Sequence, residues 1–339
     1  MINRYSRQEL FSFIGQVGQK KIQQKHVLIL GAGALGSSNA EILVRAGIGK
    51  LSIVDRDYVD WSNLQRQQLY SEEDVFQHLP KAVAAKQRLE KINRDVLIEA
   101  FVLDISSSEL FAFQDVDLII DATDNFETRF LLNDFAVKYE IPWIYGACVG
   151  SYGITYTILP HETPCLHCLM EIIPLFGGTT CDTVGIIAPT VTQVVSHQMV
   201  EALKILVEDW EAIRKELLAF DLWKNEQTKI NVKSLKKSTC LTCGLNPTYP
   251  YLTKESITKV AVLCGRNTVQ IRPAKPKLVN IIEFEKNLAP HVQHLKSNPF
   301  LIHFQVNQNQ IILFRDGRVL IHGTNDIVEA KKIYHQYFG

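Results

Sequence analysis

The chain has 339 residues, of which 46% are hydrophobic and 21% are charged, and this composition predicts a globular protein with one large and one smaller domain. Thirty-six basic residues balance thirty-six acidic ones, so the net charge excludes a general attraction to nucleic acid or to an anionic membrane. The N-terminal residues lack the apolar core of a signal peptide, and we therefore expect a cytoplasmic protein that binds neither nucleic acid nor a membrane.

Strands and helices alternate in the first part of the chain. Short apolar runs predict strands, and helical periodicity predicts helices. The predicted strands cover residues 27–30, 50–54, 97–102 and 116–120, and the predicted helices cover residues 35–46 and 81–92. This order is typical of βαβ units, and it predicts an α/β fold with a Rossmann-like sheet that is parallel in its first half.

The pattern changes after Pro142. Residues 143–160 predict two strands joined by a glycine-rich turn, so the sheet is expected to become mixed. A long helix over residues 190–209 and a strand pair at 217–222 and 227–232 complete this part of the chain.

A turn-rich segment after Cys243 predicts a linker between two domains. The first domain is expected at residues 1–248 and the second, a small α+β domain, at residues 257–339. The second domain is predicted to contain strands at residues 260–264, 269–272, 301–306, 310–315 and 318–322, and a closing helix at 326–338.

A glycine-rich turn follows the first predicted strand. The sequence LILGAGALG places Gly31, Gly33 and Gly36 between a strand and a helix, which is the context that the G-x-G-x-x-G signature requires. Small residues let the backbone approach a phosphate, and the helix N-terminus offers N–H groups. Asp55 ends the next predicted strand, where an acid can bind a ribose hydroxyl. These features alone favour a dinucleotide, and a glycine turn without a ligand is the alternative.

The residues after Asp55 favour a triphosphate over a nicotinamide cofactor. The segment DRDYVDWSNLQRQ places Asp57, Asn63, Arg66 and Gln67 just past the ribose position, and Lys81 opens the following helix. Arginine makes paired, charge-assisted bonds to phosphate oxygens, and lysine adds a second cation. Either cation alone is more often a solvated surface charge, but together with the glycine turn they predict phosphate binding.

Two acidic residues follow the fourth predicted strand, in the sequence LIIDATDNFETR. Asp121 and Asp124 lie at the carboxyl end of this strand, where open α/β sheets place ligands. A carboxylate there can hold magnesium beside phosphates. The alternative is that one of the two carboxylates caps the helix that begins near Phe126.

Two C-x-x-C pairs predict a zinc site. Cys165 with Cys168, and Cys240 with Cys243, have the spacing that lets two thiolates bind one tetrahedral ion. Four sulfur ligands close the coordination shell, and closed sites are structural. His167 lies between two of these ligands and is redundant as a fifth.

Three further cysteines lie outside these pairs. Cys148 and Cys264 are embedded in apolar, strand-like runs and are interpreted as small core residues. Cys181 lies in the polar sequence FGGTTCDTVG, where an exposed thiol suits a nucleophile and an unreactive loop cysteine is the alternative.

Taken together, these motifs resemble the MoeB/ThiF (HesA/MoeB/ThiF) family, the ubiquitin-activating-enzyme-like adenylyltransferases of sulfur-carrier proteins. The matching sequences span residues 4–244 and occur in the family's order: RYSRQ, GAGALGS, VDRDYVDWSNLQRQ, PKAVAA, DATDN, the two C-x-x-C pairs and the cysteine before GIIAPT. Such an ordered set is far more specific than any one motif.

The resemblance implies that ATP and magnesium bind over the glycine turn. Asp55 would then bind the ribose, Asn63, Arg66 and Lys81 would surround the phosphates, and Asp124 would be the magnesium ligand. The implied reaction is attack by a carrier protein's C-terminal glycine carboxylate on the α-phosphate, which releases pyrophosphate and leaves an acyl-adenylate. Negative charge that gathers on the phosphates is offset by the cations.

The resemblance also implies partners. Arg7 of RYSRQ matches the family's arginine finger, which is supplied to the neighbouring subunit, so a homodimer is implied. The carrier would be ThiS-like or MoaD-like, for thiamine or molybdopterin synthesis, and Cys181 would attack the adenylate or exchange sulfur. A cysteine desulfurase or another sulfur donor would then be a further partner.

Other functions stay open from the sequence. A related enzyme could activate a short peptide or a small acid, whereas an NAD-dependent oxidoreductase would need a hydride site that the sequence does not offer. A zinc-stabilised scaffold would have no need of Arg7, Arg66, Lys81 and Asp124 together. The C-terminal segment is too short for a typical rhodanese domain, and we expect it to support carrier docking or the dimer.

Overall fold

The protein is described by a computed structural model, which covers residues 4–170, 184–253, 259–263, 267–273 and 278–338. Two sheets organise these residues. Within the described residues, no helix is both long and apolar enough to cross a membrane.

The first sheet has eight strands in the order β3-β2-β1-β4-β5-β6-β7-β8. Strands β1 to β5 pair in parallel, and β6, β7 and β8 are each antiparallel to the strand before them, so the predicted change from a parallel to a mixed sheet is confirmed. The central strands are apolar runs because helices cover both faces of the sheet. The strands are β1 His26–Leu30, β2 Lys50–Asp55, β3 Leu97–Val102, β4 Leu118–Asp121, β5 Trp143–Val149, β6 Tyr152–Ile158, β7 Leu217–Asp221 and β8 Glu226–Ile230.

Helices pack on the two faces of this sheet and form two apolar cores. One core lies under Ala34–Ala46, Lys81–Ile92 and Ala188–Val207, and the other lies under Phe126–Lys138. The shorter α-helices are Ser6–Glu9, Gly15–Ile22, Glu72–Phe76, Ser107–Leu110 and Leu166–Leu169.

The second sheet is antiparallel, with the strand order β11-β12-β13-β14-β10-β9. Helices Ile281–Leu288 and Ile327–Phe338 complete a third core with one face of this sheet. Strand β11 is absent from the sequence prediction because it is polar and its register shifts between Gln293 and Lys296. The strands are β9 Lys259–Leu263, β10 Thr268–Arg272, β11 Gln293–Asn298, β12 Leu301–Val306, β13 Asn309–Phe314 and β14 Val319–His322.

The other face of the second sheet packs against the first domain. Leu301, Ile312, Phe314 and Leu320 form a small buried cluster on this face, and Tyr58 and Val102 pack against it. Beside this cluster, the rings of His78 and His303 stack with centroids 4.6 Å apart. Burial, and then the positive charges of neighbouring groups, lowers the pKa of His303 to about 4.

Acid is therefore expected to weaken the folded protein through His303. The unfolded chain gains a proton on this histidine near pH 6.5, whereas the folded chain gains it only near pH 4, so the free energy of unfolding falls as pH falls through that window. His303→Gln should reduce the loss of melting temperature between pH 7 and pH 5, and His335→Gln, on the exposed side of the last helix, should not. Equal losses in all three proteins would contradict the assignment.

Candidate active site

The candidate site lies at the carboxyl ends of three adjacent parallel strands. Gly31 follows β1, Asp55 ends β2, and the loop with Asp124 follows β4. Because β2 and β4 flank β1 although the chain visits them far apart, this is the point where the strand order reverses. Open α/β sheets bind their ligands at such a point.

The three glycines of the turn differ in the space that surrounds them. Gly31 has a φ of +95°, and a Cβ there would lie 2.4 Å from the carbonyl oxygen of Ala122. A Cβ on Gly36 would lie 1.8 Å from the carbonyl oxygen of Gly31. At Gly33, by contrast, the nearest atom to an added Cβ is the side-chain nitrogen of Gln67, 4.0 Å away. The described protein therefore leaves open space above Gly33, where a ligand would approach.

Asp55 is held by the backbone of the turn. Its carboxylate accepts hydrogen bonds from the N–H of Ala32 at 2.5 Å and from the N–H of Asp57 at 2.6 Å. Burial raises the pKa of Asp55, and the positive charge of Lys81 opposes this change. Asp55 thus joins the glycine turn to the segment that follows β2.

Lys81 lies almost fully buried beside this acidic pair. Its Nζ is 3.4 Å from Oδ2 of Asp57, and only 4% of its side chain is exposed. Its backbone N–H donates to the carbonyl of Asp57 at 2.9 Å. A buried ammonium on the first turn of a helix is costly unless it has an anionic partner. Lys81 is therefore a structured part of the site and not a solvated surface charge.

The segment between Asp57 and Lys81 carries the remaining predicted polar residues. Asn63 is buried in a 3-10 helix, Trp61–Asn63, where its side-chain oxygen accepts from the N–H of Asp60. Arg66 donates to the carbonyl of Ser62 at 2.7 Å and is half-buried.

The sequence places Gln67 beside the ribose position with Asp57, Asn63 and Arg66, but it gives Gln67 no separate role. It is buried, its amide nitrogen is the atom nearest to the open space above Gly33, and its Oε1 has no hydrogen-bond partner among the described residues. A buried amide oxygen without a partner is uncommon.

The two aspartates after β4 have different surroundings. Asp121 is fully buried and accepts from Nε of Arg129 at 3.0 Å and from the N–H of Thr123 at 3.0 Å. Asp124 is 73% exposed, and its nearest cation is Nη2 of Arg56 at 4.0 Å. The alternative that either carboxylate caps the next helix is wrong, because Asn125 is the N-cap and accepts from the N–H of Thr128. Asp124 thus offers exposed oxygens, the ligand type that magnesium prefers.

The four paired cysteines converge as predicted. Their sulfurs all lie within 4.8 Å of one another, with Cys165 and Cys240 3.7 Å apart and Cys168 and Cys243 3.6 Å apart. A tetrahedron with zinc–sulfur bonds of about 2.3 Å has edges of about 3.8 Å, so the arrangement fits a zinc ion.

Polar contacts brace the two halves of this cysteine cluster. Asp134, on the helix Phe126–Lys138, accepts from the hydroxyl of Thr242 at 2.5 Å and from the N–H of Tyr251 at 2.8 Å. His167 is not a member of the cluster: its ring stacks on Phe130 with centroids 4.5 Å apart. The segment that carries Cys240 and Cys243 is thereby held against the helix Phe126–Lys138.

Arg7 lies away from the glycine turn of its own chain. It belongs to the helix Ser6–Glu9, whose Gln8 donates to the carbonyl of Ala46 at 3.0 Å. Ala46 ends the helix whose N-cap is Gly33, and its thirteen residues span about 20 Å. The exposed Arg7 is therefore at the opposite end of this helix from the open space above Gly33.

The cysteine predictions have mixed outcomes. Cys148 is half-buried and packs against the first core, as expected for a small core residue. The predicted nucleophile Cys181 and the predicted core residue Cys264 lie outside the described residues.

Comparison with known proteins agrees with this arrangement. Residues 5–242 match the model of the ThiF family. The chain is 52% identical to the sulfur carrier protein ThiS adenylyltransferase of Bacillus subtilis, over the full length of both proteins. It is 34% identical to the sulfur carrier protein adenylyltransferase of Thermus thermophilus, over 73% of this chain and 92% of that protein.

Solved structures share the fold of most of the chain. E. coli MccB, crystallised with succinimide, aligns with a TM-score of 0.63 at 23% identity, over 72% of this chain and 75% of that one. The family model and the full-length relative together identify the chain: it belongs to the ThiF family.

Proposed function

We propose that the protein uses ATP to adenylate the C-terminal glycine carboxylate of a ThiS-like sulfur-carrier protein and releases pyrophosphate. The observation that carries this proposal is the 52% identity, over the full length of both chains, to an enzyme named for that activity. The open space at the carboxyl ends of β1, β2 and β4 supports it. The relative also favours a ThiS-like over a MoaD-like carrier.

The glycine turn and Asp55 would bind the nucleotide. The N–H groups at the start of the helix Ala34–Ala46 suit phosphate oxygens, and glycine at position 33 leaves room for them. Asp55 already accepts from two backbone N–H groups, so its carboxylate is held in one place at the edge of β2. A fixed carboxylate at this position suits a ribose hydroxyl.

Gly33→Ala tests this placement against a matched control. The methyl group meets no protein atom closer than 4.0 Å, so only the weaker helix N-cap of alanine counts against folding and we expect a nearly unchanged melting temperature. ATP binding should weaken by about tenfold or more, the cost of disturbing good phosphate contacts. Gly36→Ala should instead lower the melting temperature, because its methyl group collides with the backbone of Gly31. Isothermal titration calorimetry and thermal unfolding measure both effects, and unchanged ATP affinity in Gly33→Ala would contradict the proposed site.

The charged residues would offset the negative charge of the phosphates. Arg66 and Lys81 lie in the segment that follows Asp55, and Asn63 in the same segment is held by its own turn. Asp124 would hold magnesium, which would neutralise phosphate charge when bound. The attacking carboxylate is ionised already, so the protein needs no general base and acts by positioning and by electrostatics.

Zinc would have a structural role at the four cysteines. The cluster is closed by four sulfurs and lies beside the buried Asp134, on the helix that follows Asp124. A closed shell leaves no position for a reacting group.

We also propose that the chain is divided into an adenylation domain, residues 1–248, and an α+β domain, residues 257–339. The separate core of the second sheet supports this division.

A homodimer would bring Arg7 to the partner's site. Arg7 lies near the end of the helix Ala34–Ala46 that is opposite the glycine turn, and this helix is about 20 Å long, so Arg7 would act in the neighbouring subunit. Next to it, the side chains of Leu10, Phe11, Phe13 and Val17 are between 56% and 73% exposed. An exposed apolar group of this size favours a contact with another protein surface.

Sulfur transfer would follow adenylation. Cys181 would attack the carboxyl carbon of the carrier adenylate, forming a thioester and releasing AMP, or it would exchange sulfur, and a cysteine desulfurase or another donor would supply the sulfur. Both roles are proposals from the family resemblance.

ATP–pyrophosphate exchange with magnesium tests the proposed function. We expect exchange with a ThiS-like carrier from the same genome, little with a MoaD-like carrier, and none with a ThiS-like carrier that lacks its C-terminal glycine. Exchange with the MoaD-like carrier alone would overturn the choice of partner. Exchange without any carrier, dependent on a short peptide or a small acid, would overturn the proposed substrate class.

A further inference from the structure

The second sheet touches the first domain at the segment that carries the phosphate-binding candidates. The hydroxyl of Tyr58 lies 3.2 Å from Nε2 of His322, and the side-chain nitrogen of Asn298 donates to the carbonyls of Gln77 and His78 at 3.1 Å. These contacts are made near the two ends of the segment between Asp57 and Lys81. The second sheet therefore fixes both ends of the chain that presents Asn63 and Arg66.

A chain of charges links the same sheet to Asp124. Nη1 of Arg56 lies 3.3 Å from Oδ1 of Asp104, while Nη2 of Arg56 lies 4.0 Å from Oδ1 of Asp124. Arg56 directly follows Asp55, so its guanidinium lies between a carboxylate outside the site and the proposed magnesium ligand. Because the distance to Asp104 is the shorter of the two, Asp104 is the main ion-pair partner of Arg56.

Asp104 is in turn held by the second sheet. Its Oδ2 accepts from Nε2 of Gln270 at 3.0 Å and lies 3.4 Å from Nη1 of Arg272. Burial by itself raises the pKa of Asp104, but the positive charges of Arg56, Arg318 and Arg272 outweigh burial and lower it. Asp104 thus stays ionised and keeps its attraction for Arg56.

We propose that the second sheet is part of the nucleotide site: through Gln270 and Arg272 it fixes Asp104, which draws the guanidinium of Arg56 to itself and limits its contact with Asp124 to 4.0 Å. Asp104 is then a positioning residue, and Arg56 is a restrained cation that would otherwise pair with the magnesium ligand. This inference rests on the proposed function in one respect only, which is that the bound nucleotide is ATP. It gives the C-terminal domain a role within its own chain.

The physical consequence concerns magnesium. A guanidinium and a metal ion compete for the same carboxylate oxygens, because each is stabilised by the charge that the other would neutralise. When Asp104 is removed, Arg56 loses its closest anionic partner, and Asp124, at 4.0 Å, is the remaining described carboxylate within ion-pair distance of its guanidinium. Magnesium must then displace Arg56 before it can bind.

A pair of substitutions with a matched control tests the inference. We would measure the binding of ATP by calorimetry over a series of magnesium concentrations in the wild type and in Asp104→Asn, Arg56→Gln and the double variant. Asp117→Asn is the control, because Asp117 also pairs with a cation, Lys25 at 3.1 Å, but precedes β4 at the opposite end of the strand from Asp124. Thermal unfolding of each protein reports whether it is folded.

The expected results distinguish competition between Arg56 and magnesium from a general loss of protein structure. Asp104→Asn should need about tenfold more magnesium for half-maximal ATP binding, a coupling of about 1.4 kcal/mol. Arg56→Gln and the double variant should both need no more magnesium than the wild type, since neither retains the competing cation. Asp117→Asn should match the wild type.

Two results would overturn the inference. One is a folded Asp104→Asn protein with the magnesium requirement of the wild type. The other is a loss of ATP affinity in the single variant Arg56→Gln, which would make Arg56 a phosphate ligand. The Arg56→Gln measurement can overturn the inference even if Asp104→Asn does not fold. Because calorimetry needs no carrier, failure of carrier adenylation would not produce either result.

Discussion

Asp124→Ala is expected to lower carrier adenylation by at least about a hundredfold and to leave the melting temperature unchanged. The carboxylate is 73% exposed and does not cap the following helix, so its removal breaks no hydrogen bond within the helix. What it removes is the proposed magnesium ligand. The measurement is the rate of ATP–pyrophosphate exchange with a ThiS-like carrier at saturating magnesium.

Asp115→Ala is the matched control for this substitution. Asp115 is also an exposed aspartate and lies just before β4, at the opposite end of the strand from Asp124. It should exchange pyrophosphate at the rate of the wild type. Substantial exchange by Asp124→Ala would remove Asp124 from the metal site.

Cys240→Ser is expected to release zinc and to destabilise the protein strongly. Zinc binding by structural four-ligand sites contributes about 10–16 kcal/mol to folding, so the loss of one thiolate is large on the scale of a domain's stability. Cys240 lies 3.7 Å from Cys165, 75 positions earlier, so the ion would join two distant parts of the first domain. Zinc content by mass spectrometry and the melting temperature measure the effect.

Cys148→Ser provides the comparison for zinc content. Cys148 is also a thiol of the first domain, but it lies outside the four-cysteine cluster. It should retain the zinc content of the wild type. Equal zinc content in Cys240→Ser and the wild type would contradict a four-sulfur site.

The first sheet was predictable because its central strands are buried on both faces. Apolar runs such as HVLIL in β1 and LIID in β4 place the strands within two residues of their observed bounds. The β11 strand, QHLKSN, has no such run, and the helix Ile281–Leu288 that precedes it was not predicted either. Local patterns thus found the buried strands of the first sheet and missed the polar edge of the second sheet together with the helix beside it.

The parts of the candidate site that belong to one short sequence motif were predictable. The glycine turn and the C-x-x-C pairs have fixed spacings, and the structure brings each together. Arg56 was missed because its significance depends on partners far along the chain. Asp104 lies 48 positions away from it, and Gln270 lies 166 positions beyond Asp104. No local spacing connects these three residues; the packing of the second sheet does.

The helix cap after β4 shows how local rules can assign the wrong residue. Asp121, Asp124 and Asn125 all have side chains that can cap a helix. The buried Arg129 engages Asp121, and the backbone at Asn125 has the extended conformation of an N-cap, so Asn125 caps the helix. This choice leaves Asp124 exposed, which is the feature that a metal ligand requires.

The most direct test of the central claim is the intact mass of the carrier after incubation with the enzyme, ATP and magnesium and rapid acid quenching. We predict that a ThiS-like carrier gains the mass of AMP and that the same carrier without its C-terminal glycine does not. A carrier that keeps its original mass while calorimetry shows ATP bound to the enzyme would contradict the proposed function.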